Sequence, residues 1–264
     1  TQSRSSAASD VYKRQPFDHV QAARRQPGST FKPFVYGAAF ANGATPEDTL
    51  MDTAVEIPLG GGRVWRPTDG GPPSDQPMTL ADGLAFSKNT ITAQVMQQVG
   101  PARVAEVARA LGVRQSKLEE VPSLALGTSP VTLKEMISAY SSIVNLGRYV
   151  EPVLITSIED RNGKVLETFA KPVPEEVFQP RAAQTLRNTM RGAVDRGTAT
   201  AIRTRYGIQA DVAGKTGTTQ DNTDGWFILM HTRVVAGAWA GFNDGRITLR
   251  SDYWGQGARS ALPM

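Results

Sequence analysis

The sequence predicts an α+β protein in which helices come first and an antiparallel sheet comes last. Two observations carry that prediction. Apolar residues recur at helical spacing in successive segments between residues 29 and 194, and three short β-type runs with brief turns dominate the last third. A third bounds it: 264 residues, 40% hydrophobic and 20% charged, suffice for a substantial core.

Residues 1–15, "TQSRSSAASDVYKRQ", are polar, serine-rich and aperiodic, and read as a non-native or disordered leader; the folded part is expected over 16–264. "RRQPGSTFKPFVYGAAF" then opens on a Pro-Gly break and becomes helical at once. Pro33 is tolerated only in a first turn, where its missing N–H leaves no bond unmade. A helix is therefore expected to start close to Ser29 and to stop at Asn42-Gly43. Residues 44–78 read as loop, punctuated by Gly60-Gly61-Gly62 and Gly70-Gly71-Pro72-Pro73. No Gly-Lys-Ser/Thr follows the triple glycine, so it is a turn and not a phosphate cradle.

Helices are expected over 79–86 and 90–99, with "SKN" in the turn between them. The 101–111 segment places Val104, Val107, Ala108 and Leu111 on one stripe, and 132–146 does the same with Leu133, Met136, Ile137, Tyr140 and Ile143. "VLITSIEDRNGKVLETF" alternates around Asn162-Gly163, a hairpin signal. Pro180 opens a helix to about Val194. "ADVAGKTGTT", "GWFILMH" and "VVAGAWAGF" complete the chain as an antiparallel meander.

Composition removes several function classes. The net charge of +4 comes without a Lys/Arg run or a basic-aromatic ladder, so no nucleic-acid partner is expected. The chain has no cysteine, which excludes disulfide and thiol chemistry. His19 and His231 stand alone, so neither a metal site nor a Ser-His-Asp triad is expected, and no cofactor. No stretch approaches the roughly 20 apolar residues of a membrane helix.

Three short patterns each occur once, in a fixed order: Ser29-x-x-Lys32, Ser87-Lys88-Asn89 and Lys215-Thr216-Gly217. Singly, they are a helix start, a plain turn and a strand with a glycine. Together they make chemical sense. A serine hydroxyl needs a proton acceptor, and Lys32, with a free pKa of about 10.4, serves only if burial and a nearby cation push it toward neutrality. Lys215 supplies that cation and a partner for a substrate carboxylate, which the hydroxyls of Thr216 and Thr218 help to grip beside Gly217. Ser87 can relay a proton to a leaving amine, and Asn89 can hold a substrate amide while hydrogen-bonding Lys32. The N–H groups of Ser29 and Thr218 form an oxyanion hole. Asp221, Asn222 and Asp224-Gly225 read as turn chemistry, and Trp226, Trp239 and Phe242 as core or sheet-face aromatics.

From residue 18 onward the sequence resembles the transpeptidase domain of class A (bifunctional) penicillin-binding proteins. "RQPGSTFKPFVY", "ALGTSPVTLKEMISAYSSIVNLG", "VAGKTGTTQDNTDGWFI" and "VVAGAWAGFND" carry the resemblance. It implies the serine β-lactamase-like fold and D,D-transpeptidation: Ser29 is acylated by the D-Ala-D-Ala end of a peptidoglycan stem peptide, and a neighbouring strand's amine releases the acyl group as a cross-link. β-Lactam antibiotics would acylate the same serine. It further implies an upstream glycosyltransferase domain and a membrane anchor, an extracytoplasmic location, and two N-terminal strands beside "VVAGAWAGF", none of which the sequence contains. The stretch before "SKN" keeps Trp-x-Pro and Thr-Leu but lacks the family's Tyr-x-Gly. The alternatives are a D,D-carboxypeptidase, a serine β-lactamase, or a non-catalytic penicillin-binding sensor. A class A lactamase carries its deacylating glutamate in a Glu-x-x-Leu-Asn setting, which Glu106, Glu119, Glu120 and Glu135 lack.

Overall fold

The computed structural model describes residues 17–264, so the expected leader over 1–15 lies outside the described residues. The first helix begins later than expected. Gly28–Phe31 forms a 3-10 turn, and α1 (Lys32–Ala41) follows, with Pro33 in its first turn and Asn42 at its end. Ser29 thus stands in the turn, and its hydroxyl caps neither element.

Close backbone contact explains the turn. Gly28 has a φ of 54°, and a Cβ there would lie 2.6 Å from the Thr218 carbonyl oxygen. Gly127, with a φ of 71°, comes closer still: its Cβ would sit 2.3 Å from the Gly28 carbonyl oxygen. Three backbone segments meet at Ser29 with no side chain between them. Gly127→Ala is therefore expected to lower stability by roughly 2–4 kcal/mol, from left-handed strain plus overpacking. A fall of roughly 5–12 °C in Tm checks this; an unchanged Tm would refute the close approach.

Residues 44–78 are more structured than their punctuation suggested. β1 (Thr49–Met51), β2 (Ile57–Gly60), β3 (Arg63–Trp65) and β4 (Pro77–Thr79) form two antiparallel ribbons, β1 with β4 and β2 with β3. Such short, mostly exposed strands show no alternation to read. The helices then arrive as expected: α2 (Leu80–Ala85), α3 (Asn89–Val99), α4 (Pro101–Leu111) and α5 (Leu133–Val144). Thr79 caps α2, and Thr132 and Glu135 form a capping box on α5.

β5 (Arg148–Tyr149) precedes the expected hairpin of β6 (Ser157–Glu159) and β7 (Val165–Thr168), and pairs with β8 (Glu175–Glu176) beyond it. That two-residue pairing carries no periodic signal. After α6 (Pro180–Asp195) and a single turn, α7 (Ala201–Thr204), the chain enters β9 (Ala213–Thr218), β10 (Asp224–His231) and β11 (Val234–Gly241). These three form the expected antiparallel meander, order β11-β10-β9, and α8 (Gly257–Ser260) follows. β11 is an edge of this sheet among the described residues.

α1 is the hub of the core: buried along nearly its whole length, it packs against α3, α4 and α6. β10 is buried on both faces, which accounts for the unbroken apolar run "GWFILM". Trp226, Ile228 and Met230 join the large core with α1 and α5, while Phe227 and Leu229 pack with Ile202, Ala261 and Leu262 behind the sheet. The sheet thus lies between two helical layers. Asp224, which read as turn chemistry, is buried instead: its Oδ1 accepts from Arg25 Nε at 2.7 Å and from Trp239 Nε1 at 2.8 Å. Because the Arg25 backbone also pairs with Val131, this clamp ties the segment leading to Ser29 onto the sheet. No helix among the described residues is long and apolar enough to cross a membrane.

Candidate active site

The three motifs converge. Ser29, half-buried, stands in the 3-10 turn, and Lys32 opens α1 behind it with no exposed surface. Lys215 lies on β9, also without exposure; Ser87 stands in the turn from α2 to α3, and Asn89 is the first residue of α3. Lys215 Nζ donates to Ser87 Oγ at 2.8 Å, and Lys32 Nζ approaches the same oxygen at 3.3 Å. Lys32 Nζ also donates to the Ser87 carbonyl and to Asn89 Oδ1, both at 2.6 Å. One serine hydroxyl therefore sits between two buried amines.

Local geometry holds Ser87 there. Its φ of 59° is left-handed, where a residue with a Cβ is uncommon. The end of α2 enforces it: Ser87 N donates to Leu84 O, and Lys88 N to Gly83 O. Gly83 sits where a Cβ would lie 2.7 Å from Ile91 Cγ2, so α2 and α3 pack tightly around the turn.

The lysines titrate unlike free lysines. Burial is the main cause holding Lys32 well below its ordinary range; the Lys215 amine pushes it further down, Asp69 pulls it up, and Lys88 again pushes it down. Burial lowers Lys215 to about 7. Both buried amines are thus held below the ordinary lysine range, and Lys32 has the added push of a neighbouring amine. A neutral amine has two N–H bonds and one lone pair; the Ser87 carbonyl and Asn89 Oδ1 can take both N–H bonds, so the lone pair is left for a hydroxyl.

The remaining predicted residues lie along β9. Thr216 Oγ1 shares a 2.6 Å hydrogen bond with Thr198 Oγ1, and Thr218 Oγ1 accepts from Gly257 N at 2.9 Å. At Gly217 a Cβ would meet the Pro27 carbonyl oxygen at 2.6 Å, so the glycine lets β9 lie against the chain that leads to Ser29.

Sequence reasoning missed a set of supporting residues. Asn89 Nδ2 donates to Thr68 O at 2.6 Å, and Asn89 N to Asp69 Oδ1 at 2.6 Å. Lys88 bridges Asp52 at 2.9 Å and Asp69 at 3.2 Å. Thr68 and Asp69 fall in a stretch that read as Gly-Pro punctuation, and only the close sequence of one hydroxyl, one acid and one proline could have drawn attention to it. Thr198, which touches the motif strand, carried no signal.

A family model described as penicillin binding protein transpeptidase domain matches residues 5–231. Penicillin-binding protein 1A of Neisseria gonorrhoeae is 34% identical over 245 residues, 90% of this chain and 30% of that protein. The Rickettsia conorii protein of the same name is 33% identical over 250 residues, 86% of this chain and 31% of that one. The chain thus spans under a third of the length of these relatives. Among solved structures, penicillin-binding protein 1A from Haemophilus influenzae is similar with a TM-score of 0.84 and 27% identity, covering 89% of this chain and 41% of that chain. PonA1 from Mycobacterium tuberculosis, in complex with penicillin V, shares the fold with a TM-score of 0.74 at 23% identity, over 89% of this chain and 64% of that chain. With helices and antiparallel sheet in the arrangement of these transpeptidase domains and a match over most of its length, the chain belongs to the penicillin-binding protein transpeptidase domain family.

Proposed function

We propose that this chain is a peptidoglycan D,D-transpeptidase that works through an acyl-enzyme on Ser29 and is inhibited by β-lactams at the same residue. One observation carries the reading: the buried amines of Lys32 and Lys215 converge on Ser87 Oγ next to the turn that holds Ser29. The free lone pair of neutral Lys32 takes the Ser29 proton as Oγ bonds to the carbonyl carbon of the penultimate D-Ala. The N–H groups of Ser29 and Thr218 hold the developing oxyanion. As the tetrahedral intermediate collapses, the C–N bond breaks and the proton passes through Ser87 to the departing D-Ala amine. A neighbouring strand's amine then attacks the ester, loses its proton through the same groups, and restores Ser29.

The terminal carboxylate of the donor peptide is held by Lys215, Thr216 and Thr218, beside Gly217. Thr218 Oγ1 accepts from Gly257 N and so keeps its own O–H to donate. An arriving carboxylate favours the charged form of Lys215, and that charge in turn keeps Lys32 neutral. Substrate binding thereby prepares the base. In the full-length protein, the reading extends to a membrane anchor, an upstream glycosyltransferase domain and an extracytoplasmic location; the greater length of the relatives supports an additional domain.

The lifetime of the acyl-enzyme separates this reading from a serine β-lactamase, which needs a carboxylate to activate water. Glu135 is taken up by Ser116, the Gln115 N–H and the α5 cap, Glu106 by Arg103, and Glu120 by Arg109. Mass spectrometry after mixing with penicillin is expected to find one adduct, on Ser29, that outlasts removal of free drug. Rapid loss of the adduct would transfer the reading to hydrolysis, and no adduct would overturn it. Product analysis with a D-Ala-D-Ala peptide, with and without an acceptor amine, separates transpeptidase from carboxypeptidase.

A further inference from the structure

Beside the motif residues lies a ring of charged and polar groups that the mechanism above does not use. Its centre is Asp69, in the segment between β3 and β4. Asp69 Oδ1 accepts from Asn89 N at 2.6 Å, and Oδ2 accepts from Lys88 Nζ at 3.2 Å and lies 3.1 Å from Thr90 Oγ1, whose one O–H it shares with Asp52. Asp52, at the end of β1, closes the ring: its carboxylate takes Thr90 Oγ1 at 2.7 Å, Lys88 Nζ at 2.9 Å and the Ser74 N–H at 3.0 Å. Burial alone would raise the Asp52 carboxyl, but the bonds from Thr90, Lys88 and Ser74 outweigh it and hold it at about 2. Asp52 is thus a fixed anion, anchored through backbone bonds to Gln76 and Asp75.

We propose that Asp69 is a positioning residue of the acylation reaction: through Lys88, Asn89 and Thr90 it holds the turn that presents Ser87 and Asn89 to Lys32. This rests on the acyl-enzyme reading given above. Three features support it. The residue preceding α3 is Lys88, which has no acceptor and cannot cap the helix, so Asp69 supplies the missing acceptor from a remote segment. Its negative charge also sits at the positive end of α3. The left-handed backbone at Ser87 persists only if its surroundings over-determine it, and the Asp69 bonds to the next residues along the chain do so.

Asp69 also acts on charge. The groups facing Lys32 are Lys215 from β9, Lys88 from the α2–α3 turn and Asp69, with Asp52 behind Lys88. Asp69 is the carboxylate in this set that favours a charged Lys32. Removing its charge lowers the Lys32 pKa further, and since Lys32 acts as a base when neutral, the acid limb of the acylation profile moves to lower pH. The limb reads the Asp69 charge on Lys32, and the plateau rate reads its hydrogen bonds to the turn.

The test compares Asp69→Asn and Asp69→Ala with the parent in acylation by fluorescent penicillin across pH, with thermal unfolding alongside. Asp69→Asn keeps an oxygen for the Asn89 N–H, so its plateau rate is expected within about 3-fold of the parent, with the acid limb about half a pH unit lower. Asp69→Ala loses the acceptor as well, and its plateau is expected to fall about 30-fold. NMR titration of Lys32 in lysine-labelled protein reads the same displacement without any acylation. If no variant, parent included, forms an adduct, the acyl-enzyme reading fails and the positioning role falls with it, even if the Lys32 titration still moves in Asp69→Asn; adducts in the parent with no change in either Asp69 variant would overturn the positioning role alone. An Asp69→Ala rate within 2-fold of the parent, or an Asp69→Asn variant whose acid limb and Lys32 titration both match the parent, overturns the proposal; should Asp69→Ala not fold, the Asp69→Asn titration decides alone.

Discussion

Ser29→Ala is expected to reduce acylation by penicillin, and by a D-Ala-D-Ala mimic, to background while the protein unfolds at nearly the parent temperature. The two halves of that expectation have separate causes. The Ser29 hydroxyl caps neither the 3-10 turn nor α1, so its loss removes no structural bond, and the stability change should stay within about 0.5 kcal/mol. No neighbour can replace it as a nucleophile. Thr30, the adjacent hydroxyl, is buried and donates to the Pro27 carbonyl at 2.7 Å. Ser87 Oγ lies between the Lys32 and Lys215 amines, where the proposed role is proton transfer. Labelling with fluorescent penicillin, read against a melting curve, checks both halves. A stable adduct on the alanine variant would refute the assignment of Ser29.

Lys32→Arg should be nearly as damaging, with acylation at least about 1000-fold slower than the parent. Arginine keeps the positive charge but does not deprotonate in a protein, so it cannot accept the Ser29 proton. The site is also built for an amine that gives up its charge: burial, reinforced by the Lys215 amine, holds Lys32 well below the usual lysine range. Lys215→Arg provides the contrast. There the retained charge can still meet a carboxylate, so substrate affinity should weaken while acylation stays measurable. If Lys32→Arg acylates at close to the parent rate, the base is another group.

Much of this architecture was legible in the sequence, for identifiable reasons. The long helices and the final meander announce themselves because one face or both faces of each must bury apolar side chains at a fixed period. Val104, Val107 and Leu111 on α4, and the unbroken apolar run of β10, are of this kind. The motif residues were legible because their types are rare in combination. The ribbons between residues 49 and 79 were not, since strands of three or four mostly exposed or half-buried residues leave no pattern. Asp52 and Asp69 were hidden for another reason. Each reads as a turn residue in its own segment, and only the fold brings residues 52, 69, 88 and 90 into one ring.

The sequence by itself therefore determined the inventory and its order: a hydroxyl at a helix start with an amine one turn on, a second hydroxyl and an amide at a later turn, and an amine on a strand. Only the tertiary structure decided what those groups are chemically. A lysine in water is a cation near pH 7; Lys32 is held well below that range because α1, the α2–α3 turn and β9 pack around it and exclude solvent, which fits it for the proposed role of base. The contact that matters most, Lys215 Nζ to Ser87 Oγ at 2.8 Å, joins residues 128 apart in the chain. No local pattern encodes it. Desolvation is a property of the packed interior, and it sets the buried amines of this candidate site apart from ordinary lysines.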